Sequence, residues 1–214
     1  KPDRRQRQMC IRDSNYALEG SVFIAGAAIQ WLRDSLKVIG KASETERIAQ
    51  SIEKLHDIYV VPAFAGLGAP YWDMYSRGAI FGLTRDTGVD HIIKATLESL
   101  AYQTKDIIDV MEKDSGIKLK SLKVDGGACM NNYLMQFQSD LLDCQVLRPE
   151  IIETTAMGAG YLAGFQSNIW DKDQILKNQK IDRSFNPTIN DSEREKMYRG
   201  WKKAVNRTFN WIEK

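Results

Sequence analysis

The pattern that most restricts the fold is a short strand, a pair of glycines and a helix, in that order. The stretch 122–124 is short and apolar, Gly126 and Gly127 follow it, and 131–142 carries apolar residues at helical spacing. A second short strand is predicted at 145–147. Strands that alternate with helices are typical of a sheet covered by helices. The pattern therefore predicts an α/β fold with a mixed sheet.

Apolar periodicity predicts the remaining elements. The clearest helix is 90–111, whose apolar residues recur every three or four positions before Gly116 offers a stop signal. The other predictions are helices over 21–39, 45–55, 154–165 and 194–211, and strands over 58–61 and 78–83. The many small residues of 154–165 predict a helix packed tightly on the sheet. No repeat or linker divides 15–214, which is predicted to be one domain.

Residues 1–14 are predicted to be a non-native or disordered tail. The segment has no apolar period, and RRQRQMCIRDS resembles a translated sequencing adapter more than a protein segment. Residues 1–13 contain five Lys or Arg and two Asp, so the other residues carry a net charge of −1 out of the total of +2. We therefore expect no nucleic-acid partner, although a basic arm that binds nucleic acid stays open as an alternative.

Composition excludes several other classes. No stretch approaches the roughly 18 to 20 consecutive apolar residues that span a bilayer, so no membrane association is expected. Three widely spaced cysteines, Cys10, Cys129 and Cys144, do not suggest a disulfide framework or a four-cysteine metal site. No secretory signal is evident either, and we expect a cytoplasmic protein.

Two pairs of residues are candidates for binding. Gly127 and Asn131 follow a strand at the start of a helix, where a backbone without a β-carbon and an amide could meet a ligand. Gly26 and Gln30 are four apart in a predicted helix, and a helical glycine costs roughly 1 kcal/mol unless something approaches it closely. The plain alternatives are an ordinary tight turn and contact with another helix.

Catalytic motifs are missing. The chain has no GxxxxGK[ST], GxGxxG, GxSxG or HExxH sequence, and its two histidines, His56 and His91, are isolated. The carboxylates Asp125, Glu98 and Asp140 are interpreted as structural, with Asp125 stabilising the turn beside it.

Read together, the blocks resemble a known family. GAIFGLTRDTGVDHIIKATLE, residues 78–98, is similar to the C-terminal signature of the FGGY family of carbohydrate kinases. NYALEGSVFIAGAAIQWLRD, PAFAGLGAPYWD, LESLAYQTKD, VDGGACMNNYLMQFQSD and TTAMGAGYLAG are similar to the members of that family that phosphorylate glycerol. The resemblance covers about 15–211, nearly the whole chain outside the tail.

The resemblance implies the actin-like ATPase (ribonuclease H-like) fold, of which this chain would be the C-terminal lobe. It implies ATP and Mg²⁺ as cofactors and glycerol as the substrate of a transferase, with Gly26, Gln30, Gly127 and Asn131 as nucleotide-binding residues. In the family an N-terminal lobe supplies the general base and most of the glycerol pocket, so no catalytic or metal-binding residue is expected here. The chain is expected to be inactive without that lobe.

The resemblance also bears on partners. It implies a homo-oligomer at full length, and Glu193 and Arg194 match the region where some relatives dock a regulator of the sugar phosphotransferase system. Two alternatives stay open: a kinase of the same family acting on a pentose or another polyol, and a non-catalytic nucleotide-binding or assembly module on the same fold.

Overall fold

The computed structural model describes residues 5–10, 13–52, 57–177 and 179–213. The strands are β1 Arg5–Cys10, β2 Asp13–Leu18, β3 Tyr59–Val61, β4 Ala79–Phe81, β5 Ser121–Lys123, β6 Gln145–Pro149 and β7 Ile181–Phe185. The helices are α1 Gly26–Gln30, α2 Glu44–Ser51, α3 Val89–Ser115, α4 Asn132–Leu142, α5 Thr154–Gln166, α6 Lys172–Lys177 and α7 Asp191–Asn206. His56 and the end of the helix predicted over 45–55 lie outside the described residues.

Helix α3 is the central element, and it packs against α2, α4 and β3. At its start the backbone N–H of Gly88 donates to Nδ1 of His91 at 3.1 Å, so this histidine helps to cap the helix. At its end Gly116 adopts φ +70°, the left-handed conformation that favours glycine. The predicted helix and its stop are both confirmed, with the helix somewhat longer than 90–111.

The predicted helix over 21–39 is wrong in extent. Only α1 and a single π-helical stretch, Trp31–Ser35, are helical within it. The preceding residues are held by tertiary contacts instead, because Nε2 of Gln103 donates to the carbonyl of Ile24 at 3.0 Å. Ala25, the residue before α1, has φ −108° and ψ −90°, which are not helical angles, so α1 begins only at Gly26.

The sheets are small. β3 and β4 pair antiparallel, while β5, β6 and β7 form a mixed sheet in which β5–β6 is parallel and β6–β7 antiparallel. The predicted mixed sheet covered by helices is confirmed, although β7 and α6 had no predicted counterpart. β1 and β2 form an antiparallel hairpin that includes part of the segment 1–14, and the division of the chain at residue 14 stays a prediction.

The main core lies between α3, α4, α7 and the sheets. Its largest fully buried apolar side chains include Trp201, Leu97, Leu141, Val61, Val146 and Val205. Trp201 stacks on Tyr102 of α3 with their ring centroids 5.1 Å apart. These contacts fix α7 against α3.

One carboxylate lies inside this core. Asp106 is 2% exposed and accepts hydrogen bonds from the Tyr198 hydroxyl at 2.7 Å and the Trp201 indole at 2.8 Å. The ammonium of Lys202 lies 3.1 Å from it and supplies the opposite charge. A buried charge is tolerated only when it is paired and hydrogen-bonded, so α7 is required to accommodate Asp106.

Helix α5 is largely exposed, and the predicted tight packing on the sheet is wrong. No other strand or helix of the described chain packs extensively against α5, and a Cβ added to Gly158 or Gly160 would meet no atom within 4 Å. Of the three glycines in α5, only Gly164 is close to another side chain, the ring of Trp170. The small residues of α5 would permit close packing, but no strand or helix of the described chain packs extensively against them.

Candidate functional site

A cavity of about 330 Å³ lies between α1, the N-terminal end of α2, α3 and the start of α4. All four predicted binding residues, Gly26, Gln30, Gly127 and Asn131, line it. They come from two segments about a hundred positions apart in the sequence. The volume falls within the range of small-molecule sites, roughly 300 to 1,000 Å³.

Gly26 begins α1 at the cavity wall. A Cβ added there would meet no atom within 4 Å, so the glycine is not explained by contact with another helix. Gln30 lies one turn further along the same wall, with its side chain exposed. This wall therefore leaves room for a ligand beside backbone atoms.

The glycine turn forms the opposite wall. Gly126 has φ +75°, and its N–H donates to the carbonyl of Ile152 at 2.9 Å, so glycine is favoured at this position by the backbone itself. Gly127 then starts a 3₁₀ turn, Gly127–Met130, and an added Cβ there would also meet no atom within 4 Å. The two glycines thus serve different needs: the first forms the turn and the second keeps the surface open.

A buried arginine holds the turn from behind. Arg148 on β6 donates from its Nη1 to the carbonyl of Cys129 and to Oδ1 of Asn132, each at 3.1 Å. Asp182 on β7 pairs with the same guanidinium at 2.7 Å. The mixed sheet therefore fixes the position of the backbone that lines the cavity.

Asn131 caps helix α4. Its Oδ1 accepts from the backbone N–H of Leu134 at 2.9 Å, which is an N-cap interaction. Its Nδ2 donates to Oγ1 of Thr45 at 3.1 Å. The side chain of Asn131 thus has a structural role, and the residue also lines the cavity.

Most of the cavity lining is apolar. The larger apolar residues are Ile29, Leu97, Leu100, Met130 and Leu134, of which Met130 is exposed. Of the lining residues only Arg33 and Glu46 carry a charge, and Arg33 pairs with Asp34 at 2.7 Å. Such a site suits a flat, largely apolar ring with hydrogen-bonding edges. It has no arrangement of nucleophile and base.

The sequence did not single out Thr45, Glu46 or Arg33. Thr45 and Glu46 reach the site only because α2 packs beside α4, at a separation of 86 positions. No local pattern marks a residue whose role depends on a contact so distant. The sequence marks Thr45 only as a polar residue near the start of a short helix, which does not indicate a binding role.

The carboxylates set aside as structural are all engaged in the fold. Asp125 accepts a hydrogen bond from the Thr154 hydroxyl, which ties the glycine turn to α5. Asp140 accepts from the backbone N–H of Thr188 at 2.6 Å and from the hydroxyl of the same residue at 3.0 Å. Both contacts join segments distant in sequence, as expected of structural groups.

Glu98 is the third of these carboxylates and is buried in α3. It accepts from the Tyr133 hydroxyl at 2.5 Å. Burial raises the pKa of Glu98 to about 7, while the hydrogen bond from Tyr133 and the charge of Lys94 oppose the rise. The group titrates near neutral pH but does not line the cavity.

The described residues form neither a metal-binding cluster nor a membrane-spanning helix. No group of three or more His, Cys, Asp or Glu side chains in the described ranges is placed to hold a metal ion. Within those ranges no helix is both long and apolar enough to cross a bilayer. Cys129 and Cys144 are buried free thiols.

Known proteins resemble this chain in sequence. The family model for the C-terminal domain of the FGGY family of carbohydrate kinases matches residues 8–167, so the match begins within the segment 1–14. A glycerol kinase of Alkaliphilus metalliredigens is 61% identical over 197 residues, which are 92% of this chain and 39% of the relative. The chain spans about two fifths of the length of the curated relatives it matches.

Solved structures resemble it in fold. The crystal structure of Plasmodium falciparum glycerol kinase with ADP has a TM-score of 0.85 at 37% identity, and the match covers 92% of this chain and 40% of that one. A ligand-bound xylulose kinase from Lactobacillus acidophilus has a TM-score of 0.71 at 20% identity, covering 85% of this chain and 38% of the other. The predicted actin-like ATPase architecture is confirmed.

Proposed function

The chain belongs to the FGGY family of carbohydrate kinases through its C-terminal domain, and on that premise we propose that it is the ATP-binding lobe of a glycerol kinase. The reaction would transfer the terminal phosphoryl group of ATP to a hydroxyl of glycerol, giving glycerol 3-phosphate. The identity of 61% to a glycerol kinase supports glycerol over other polyols.

One observation carries the proposal. Gly26, Gln30, Gly127 and Asn131 were selected from the sequence, and they line one cavity of a size and polarity that suit a nucleoside. The related Plasmodium falciparum enzyme was solved with ADP, which supports a nucleotide as the occupant.

In this proposal the lobe acts by positioning. The apolar lining would hold the adenine ring, and the open backbone at Gly26 and Gly127 would let the ribose and phosphates lie close to the chain. Phosphoryl transfer depends chiefly on alignment and charge stabilisation, so holding ATP in register is a substantial contribution.

Metal and base would come from elsewhere. The described residues offer no metal cage, and Mg²⁺ is commonly bound through substrate phosphates with few protein ligands. We therefore propose that Mg²⁺ enters with ATP and neutralises phosphate charge there. The general base and most of the glycerol pocket would belong to a part of the enzyme outside this sequence, and the chain alone would not phosphorylate glycerol.

A chimeric enzyme tests this proposal. This chain replaces the matching 39% of the Alkaliphilus metalliredigens glycerol kinase, and ADP release is followed with and without glycerol. We expect glycerol-dependent turnover from the chimera and none from the chain alone. Xylulose and other polyols serve as the competing substrates.

Matched variants sharpen the test. Gly127→Val adds a side chain at the cavity wall, where an added Cβ meets no protein atom within 4 Å. The variant should therefore fold but raise the KM for ATP at least roughly tenfold. Gly158→Ala on α5, away from the cavity, should leave the KM unchanged. Turnover only with a pentose would favour the other kinase, and ADP binding without any turnover would favour the non-catalytic module.

Partners and location follow the same family. We propose a homo-oligomer for the complete enzyme and a cytoplasmic location, in keeping with the free thiols of Cys129 and Cys144. Docking of a phosphotransferase-system regulator near Glu193 and Arg194 stays a prediction. Inhibition of the chimera by such a regulator is its direct assay.

A further inference from the structure

We propose that the first turn of α2 positions the nucleotide, with Thr45 as the main positioning residue and Glu46 as a second. Thr45 would act through Asn131, whose amide faces the cavity, and would not itself carry out chemistry. The inference rests on the proposed nucleotide site and adds a residue that determines how its base is held.

The orientation of the Asn131 amide is settled by its partners. The backbone N–H of Leu134 only donates, so the atom facing it at 2.9 Å must be the oxygen of the amide. The nitrogen then faces Oγ1 of Thr45 at 3.1 Å. Reversing the amide would place its NH2 group against the backbone N–H of Leu134, so that two donors would face each other.

Toward Asn131, the hydroxyl of Thr45 can only accept a hydrogen bond. Its hydroxyl has one hydrogen, which it donates to the carbonyl of Ala42 at 2.7 Å. The lone pairs of its oxygen therefore face Asn131, so the direction of each of these three hydrogen bonds is determined. Thr45 is 1% exposed, so water does not readily replace its hydroxyl.

The hydrogen-bonding groups of the Asn131 amide that Thr45 and Leu134 do not use are available to a ligand. An asparagine side chain has two N–H donors and two lone pairs on its oxygen. One of each is used by Thr45 and Leu134, so one donor and one acceptor of Asn131 remain in a defined orientation at the cavity wall. Adenine and guanine differ in the donors and acceptors of their edges, so this orientation bears on which base is held.

Glu46 provides a second tie beside the first. Its Oε1 accepts from Nδ2 of Asn132 at 2.8 Å. Oδ1 of Asn132 accepts in turn from Arg148 at 3.1 Å, so the contact is anchored in the mixed sheet. Two adjacent hydrogen bonds thus join α2 to the start of α4 across the cavity edge.

The test compares side chains of equal shape. ADP and GDP affinities of the chimeric enzyme are measured by calorimetry for the wild-type lobe, Thr45→Val and Thr45→Ser. We expect Thr45→Val to bind ADP roughly tenfold more weakly and to discriminate less between ADP and GDP, because it leaves the Asn131 amide without its acceptor. Thr45→Ser keeps the hydroxyl and should restore most of the affinity.

Thermal melting accompanies each measurement, since a merely structural role would lower stability without changing base preference. Unchanged ADP affinity and ADP-to-GDP ratio in a folded Thr45→Val chain would overturn the inference. If the wild type itself binds no ADP, the proposed nucleotide site fails before the inference is reached.

Glu46 allows the test if Thr45→Val does not fold. Glu46 is partly exposed, so Glu46→Ala should fold, while Glu46→Gln keeps the accepting oxygen. We expect Glu46→Ala to weaken ADP binding roughly threefold relative to Glu46→Gln. Equal affinities of the two variants would count against positioning by α2.

Discussion

Helices α3 and α5 have very different surroundings. α3 buries twelve of its 27 residues, whereas α5 buries one of thirteen, Gly164. α3 meets α2, α4 and β3. α5 leaves Leu162 70% exposed and Phe165 56% exposed.

How much of each helix is buried therefore depends more on the elements that pack against it than on its composition. α3 buries even charged side chains such as Lys94, Glu98 and Asp106, because partners from other elements hydrogen-bond them. α5 is richer in apolar and small residues but lacks an extensive partner in the described chain. Substitutions on the two helices should therefore have unequal effects.

The largest contrast is expected between two leucines. Leu97 of α3 is 2% exposed, so Leu97→Ala should lower the free energy of unfolding by roughly 3 to 4 kcal/mol through lost burial and a cavity. Leu162→Ala on α5 should change it by less than about 0.5 kcal/mol. Urea unfolding of both variants measures the difference, and similar losses would mean that α5 is packed in solution.

A second contrast concerns pH. Because the pKa of Glu98 is about 7 in the folded chain and about 4.5 when unfolded, the unfolded state ionises first as pH rises. Stability from this group is therefore lost between about pH 4.5 and 7, and the loss is complete above that window.

Glu98→Gln should remove that loss. Relative to the wild type, the variant should gain roughly 2 to 3 kcal/mol of unfolding free energy between pH 5 and pH 8. The control is Glu195→Gln on the exposed surface of α7. Parallel pH profiles for Glu98→Gln and wild type would show that Glu98 ionises normally.

The smallest contrast lies within α5. Gly164→Ala would place a methyl group against the Trp170 ring and should cost roughly 1 kcal/mol or more. Gly158→Ala meets open space and should stabilise by roughly 0.5 to 1 kcal/mol through helix propensity alone. Thermal melting distinguishes the two, and destabilisation by Gly158→Ala would reveal an unrecognised partner of α5.

Elements with local sequence signals were predicted, and elements that depend on distant contacts were not. α3 was predicted because its apolar stripe and Gly116 stop are local signals. β7 was missed because four of its five residues are exposed, so it carries no apolar pattern. The 21–39 prediction failed at its start, where Ala25 has non-helical backbone angles and Gln103 of α3 donates to the carbonyl of Ile24.

The candidate site divides similarly. Gly26, Gln30, Gly127 and Asn131 were identified because glycines and amides in those positions are awkward in purely structural terms and match a family pattern. Thr45 was not, since only the folded chain brings it to Asn131. Sequence thus identified the cavity walls but not the group that orients one of them.

The Asp106 contacts have a consequence for the timing of folding. Tyr198 and Trp201 follow Asp106 by 92 and 95 positions, a delay of roughly 5 to 20 s at ordinary rates of synthesis. Until they emerge from the ribosome, this face of α3 has an unpaired carboxylate and stays in water. The core is therefore closed by a segment made well after α3, and this face of α3 has no partner in the meantime.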